Sequence, residues 1–98
     1  MTINKTQNES TLTLDLTGRL DTTTAPQLED EINAAPGTVT NIVLDFAGLE
    51  YLSSAGLRVI LMAHKKMAQR GGMTIKNVNA TIMEVFEITG FSDILSIG

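Results

Sequence analysis

Residues 41–72, NIVLDFAGLEYLSSAGLRVILMAHKKMAQRGG, carry the chain from an apolar, β-branched run into a helical pattern. NIVLDF (41–46) is nearly continuous in apolar residues, which predicts a central strand buried on both faces. Beyond it, Leu57, Ile60, Leu61, His64 and Ala68 recur at i, i+3, i+4, i+7 and i+11, one face of a helix. Gly71 and Gly72 supply the stop. At the hand-over stand Ser53, Ser54, Ala55 and Gly56. A helix start favours a serine cap, worth on the order of 1 kcal/mol. It also welcomes anions, so a serine there can be a chemical target. Capping alone does not explain two hydroxyls followed by Ala55 and Gly56, because glycine in a first turn costs about 1 kcal/mol against alanine. The sequence predicts a bare helix tip open to a phosphate or to another protein. Ser53 is expected to be the cap and Ser54 to present its hydroxyl outward.

Outward from this segment the pattern alternates. TLTLDLTG (11–18) places Leu12, Leu14 and Leu16 on one face of a strand, and Ile3, Lys5 and Gln7 form a weaker edge strand before it. Asn8, Glu9 and Ser10 make the hairpin turn. TTTAPQLEDEINAA (22–35) reads as a helix with Thr24 as N-cap, Pro26 in its first turn and Leu28 and Ile32 inward. MTIKNV (73–78) is a short strand, and ATIMEVFEITG (80–90) a helix ending on Gly90. FSDILSIG (91–98) is a coda with one helical turn begun by Ser92. The order β, β, α, β, α, β, α implies a single α/β domain over residues 1–98. Its centre is a mixed, mainly parallel sheet of about four strands with helices packed against it. Leu14, Leu16, Val43, Leu44, Phe46, Leu57, Ile60, Leu61, Ile75, Val85 and Phe86 are the expected core.

Composition narrows the function. A chain of 98 residues has room for one modest core, and 43% apolar with 18% charged residues is a globular balance. A formal net charge of −4 argues against binding nucleic acid through its phosphates. The densest basic group, Lys65, Lys66 and Arg70, lies late in a helix, where cations meet its negative end. Absence of cysteine removes disulfides, thiolate chemistry and cysteine-ligated metals. The polar start MTINKTQNES points to the cytoplasm. The longest purely apolar run, Val59 to Ala63, is far short of a membrane span, so no direct membrane insertion is expected.

Catalytic signatures are lacking. Neither a dinucleotide fingerprint nor a phosphate-binding P-loop occurs. LSSAG resembles a nucleophile elbow, G-x-S-x-G, but Leu52 replaces the first glycine. The single histidine, His64, lies ten residues beyond Ser54 on the same helix, about 15 Å along its axis. A general base works at about 3 Å, so a hydrolase fails on geometry. His64 has no second metal ligand at suitable spacing. No catalytic residue, metal or cofactor is expected.

Three fragments together resemble the STAS family, the domain of sulfate transporters and anti-sigma factor antagonists. LTGRLDTTTAPQLEDEI (16–32) is similar to its G-x-L-D segment, carried by Gly18, Leu20 and Asp21. IVLDFAGLEYLSSAGLRVIL (42–61) resembles the phosphoacceptor segment, and VFEITGFSDILSI (85–97) the closing helix and tail. In stand-alone members the phosphorylated serine is the second residue of D-S-[ST]-G. Here Ser53 takes the aspartate's place, Ser54 the phosphoacceptor's, Ala55 the second hydroxyl's and Gly56 the glycine's.

The resemblance implies an anti-sigma factor antagonist whose unphosphorylated form binds an anti-sigma factor serine kinase and releases a sigma factor. Phosphorylation at Ser54 ends the binding, and a serine phosphatase restores it. It implies a partner surface of Asp21, Thr22, Thr23, Ser53, Ser54, Ala55, Gly56 and Arg58. The alternative is a STAS module in a nucleotide-responsive signalling complex, or a cytoplasmic subunit of a transport assembly. Asp21 itself reads either as a turn residue bonding its own backbone or as a carboxylate shaping that surface.

Overall fold

Burial alternates in step along neighbouring strands, and that alternation fixes the layout. The structure is a computed structural model describing residues Met1–Gly98. Strand β2 (Thr11–Leu20) buries Leu12, Leu14 and Leu16, β3 (Asn41–Leu52) buries Ile42, Leu44 and Phe46, and β4 (Gly72–Lys76) buries Met73 and Ile75. Pairing aligns them: Leu12, Ile42 and Met73 form one row, and Leu14, Leu44 and Ile75 the next. Edge strand β1 (Thr2–Asn8) runs antiparallel to β2, and β5 (Ser96–Ile97) closes the far edge in the order β1-β2-β3-β4-β5. From β2 to β5 every step is parallel and in one direction. Right-handed crossovers then place α1 (Ala25–Asn33), α2 (Ser54–Ala68) and α3 (Ala80–Thr89) on the same face.

This one-sided layout corrects part of the expected core. Val43 is only half-buried, because β3 is covered on one face rather than two. Val85 is half-buried as well. On α2 the buried residues are Gly56, Leu57, Val59, Ile60, Ala63 and Met67, whereas Leu61 and His64 are half-buried and Ala68 is exposed. The helix is rotated from the expected face because Val59 to Ala63 is apolar without interruption and gives no phase. The sheet is mixed and mainly parallel, as read, but has five strands. After a single 3-10 turn at Phe91–Asp93, the coda adds β5, a two-residue strand too short to show any periodicity.

Two irregularities shape the end of β3. Its register against β2 shifts between Asp15 and Thr17 and again between Gly18 and Arg19, each time with one extra residue on β3. Such bulges reset the pleat. As a result Phe46, Leu49 and Leu52, three positions apart, all point inward. At the first bulge Asp45 Oδ1 accepts the Ala47 N–H at 3.0 Å and Asn77 Nδ2–H at 2.9 Å. Asn79 Nδ2 donates to the Leu49 carbonyl at 3.0 Å, while Asn79 Oδ1 caps α3 by accepting the Ile82 N–H at 2.9 Å.

The Asn77 side chain, the Ala47 N–H and Lys76 hold the Asp45 carboxyl below its ordinary value of 3.8. A lowered folded value means stability that is present above the unfolded value and is lost as pH falls through the folded one. Asp45→Asn is therefore expected to be less stable than the parent at neutral pH, with the gap closing on acidification below the ordinary carboxyl range. Urea unfolding at neutral and strongly acid pH checks this; a gap independent of pH would dismiss the charged role.

Candidate functional site

Strands β2 and β3 end side by side, with Leu20 opposite Leu52 and the Ser53 N–H donating to the Leu20 carbonyl at 2.9 Å. Both chains leave the sheet at this edge, one into α1 and the other into α2.

The first loop is stiff. Asp21 Oδ1 accepts the Thr23 N–H at 3.0 Å, the Thr23 hydroxyl at 2.8 Å and the Thr24 N–H at 3.2 Å. Thr24 occupies the N-cap position of α1, but its hydroxyl turns back, donating to the Arg19 carbonyl at 2.7 Å and accepting the Asp21 N–H at 2.8 Å. The bond from the Thr23 hydroxyl is the main reason the Asp21 carboxyl titrates below its ordinary value of 3.8. These bonds are the ones a turn residue makes with its own loop. Arg19 stacks 4.1 Å from the Tyr51 ring centroid and approaches Asp21 Oδ2 at 3.8 Å. Sequence reading missed this outward pair, since Arg19 and Tyr51 become cross-strand neighbours only through the second bulge.

Ser53 is the cap of α2, as expected: its backbone is extended (φ −93°, ψ 172°) and its Oγ accepts the Gly56 N–H at 3.2 Å. Ser54, the first residue of α2, is exposed, and its hydroxyl has no partner within the chain. Ala55 is half-buried and Arg58 exposed. Thr22, Ala55 and Arg58 line one open groove between α1 and α2, whose walls also include Pro26, Glu29 and Met62. Those last three were not picked out, because flanking positions become a groove only once two helices are known to be neighbours.

Gly56 departs from expectation. It is buried, and a Cβ there would lie 2.8 Å from both Leu20 Cγ and Leu52 Cδ1. Its missing side chain lets α2 seat on the strand ends; it does not clear space at the surface. Gly56→Ala is expected to cost about 1–3 kcal/mol by overpacking, measured by urea unfolding. A neutral or stabilising result would mean that the two leucines yield freely.

Few features here suit catalysis. His64 lies toward the far end of α2, in a cleft with Asn41, Thr74 and Ser96. No group of three or more histidine, cysteine, aspartate or glutamate side chains converges to hold a metal. No helix is long and apolar enough to cross a membrane.

The model of the STAS domain family matches residues 2–98. BtrV of Bordetella bronchiseptica, provisionally named an anti-sigma factor antagonist, is 38% identical over 84 residues, which is 84% of this chain and 72% of that one. An anti-sigma factor antagonist from Mycobacterium paratuberculosis superposes with a TM-score of 0.87 at 22% identity, over 98% of this chain and 83% of that one. The phosphorylated form of SpoIIAA, a Bacillus cell fate determinant, superposes with a TM-score of 0.78 at 24% identity, over 99% and 91% of the two chains.

Proposed function

Because the chain belongs to the STAS domain family, we propose that residues 1–98 act in the cytoplasm as an anti-sigma factor antagonist switched at Ser54. Unphosphorylated, it binds an anti-sigma factor that is also a serine kinase, and a sigma factor is released. The kinase then moves the γ-phosphoryl group of ATP to Ser54 Oγ; the bond to the leaving ADP breaks and the hydroxyl proton departs. A serine phosphatase hydrolyses the ester and restores binding. The chain is a binding module in this cycle and performs no turnover itself. The observation that carries the reading is the exposed, unbonded Ser54 hydroxyl in the first turn of α2, beside a Ser53 hydroxyl already committed to its cap. The names of the relatives support the partner class.

Electrostatics gives the direction of the switch. A phosphoserine carries about −1.5 to −2 charges. At a helix N-terminus the dipole favours such an anion by about 0.3–2 kcal/mol. Modification therefore leaves the domain folded, and release arises at the interface. A desolvated dianion facing a partner without a matching cation costs several kcal/mol, and each ~1.4 kcal/mol is tenfold in affinity.

Affinity capture from the native cytoplasm tests this. The expected catch is a small ATPase-like kinase that dissociates when ATP is added. Capture of a transporter's ATPase subunit, with no kinase, would move the chain to the transport reading.

A further inference from the structure

We infer that Arg58 is the internal counter-charge for a phosphate on Ser54, so that phosphorylation draws a cation out of the α1–α2 groove. This rests on the reading of Ser54 as the phosphoacceptor. The chain has seven lysines and arginines, and most are committed or distant. Lys5 pairs with Glu31, Arg19 with Asp21 and Tyr51, and Lys76 with Asp45. Lys66 Nζ donates to the Ile32 carbonyl at 3.3 Å, closing the end of α1. Lys65 and Arg70 lie at or beyond the last turn of α2. Arg58 alone is exposed, free of any ion pair and within the first turns of that helix.

Its position is suited to the task. Ser54 and Arg58 are an i, i+4 pair, about 5–6 Å apart at Cβ. Side chains on a helix lean toward its N-terminus, so the turn that begins with Ser54 is within reach of the Arg58 guanidinium. A guanidinium fork matches two phosphate oxygens at once. The first turn of α2 holds no acidic residue to repel the group. The acidic side chains nearby are Glu29, across the groove on α1, and Asp21, which is engaged by Thr23, Thr24 and Arg19. In the unmodified chain Arg58 lines the groove with Glu29; with phosphate present it folds back along α2. A partner carboxylate that met Arg58 loses its contact as the dianion appears.

The test uses the full chain with phosphoserine installed at position 54 during synthesis, followed by phosphorus NMR titration. An exposed phosphoserine titrates near 6. The parent is expected about half a unit or more below Arg58→Gln, with Arg58→Lys between them, and with the difference shrinking in high salt. Identical titration of parent and Arg58→Gln would overturn the inference. Separately, incubation of the unmodified chain with the captured kinase and ATP reports on Ser54 itself. Phosphate elsewhere would sink the phosphoacceptor reading, while the installed phosphoserine would still decide whether Arg58 pairs with it.

Discussion

Ile60→Ala is expected to lose about 2–5 kcal/mol of unfolding free energy, and Leu61→Ala, one position along, only about 1 kcal/mol. Ile60 is fully buried, held between the sheet and the rest of the core. Truncation there removes apolar contact and leaves a cavity that a close-packed interior only partly closes. Leu61 is half-buried on the flank of α2, so part of its surface already meets water and no enclosed cavity forms. Urea unfolding of both variants, with unchanged denaturant dependence, measures the contrast. Equal losses would mean that α2 is rotated toward the face the sequence pattern first suggested.

That contrast also locates where the sequence stops being legible. The order of elements could be read because strands and helices have different periods, and β2 and α1 show theirs cleanly through Leu12, Leu14 and Leu16 and through Leu28 and Ile32. The phase of α2 could not, because Val59 to Ala63 offers an apolar residue at every angle. One-sided burial of β3 was hidden for a related reason: Val43 is apolar though it faces outward, so the run looks buried on both sides. Both follow from the strand order, a long-range property that local pattern does not encode. At the candidate site the cap on Ser53 was legible, since a serine at a strand–helix boundary has a local mechanism. The work of Gly56 was not. Its close approach to Leu20 and Leu52 depends on two bulges that bring those leucines beneath the helix start. A glycine that looks like open space from the sequence is, in the fold, space already filled by a neighbour.

Ser54→Ala is expected to abolish phosphate uptake while leaving partner binding intact, whereas Ser53→Ala is expected still to take up phosphate. The two hydroxyls are adjacent in sequence but differ in what they can do. Ser53 Oγ is held by the Gly56 N–H at 3.2 Å, and an oxygen that serves as a cap must abandon that bond to reach a kinase. Ser54 Oγ has no such bond and is exposed, so phosphoryl transfer to it disturbs nothing in the fold. Loss of the cap in Ser53→Ala should lower stability by about 0.5–2 kcal/mol, with phosphate still taken up at Ser54. Ser54→Ala should unfold within about 0.5 kcal/mol of the parent, as surface substitutions do. Ser54→Asp should bind the partner less well than the parent, yet better than the phosphorylated chain, because one charge stands in for nearly two. Peptide mass spectrometry after incubation with the kinase and ATP separates the cases. Phosphate found on Ser53 would reverse the assignment of Ser54 as phosphoacceptor, since the cap bond to Gly56 would then have to open during the reaction.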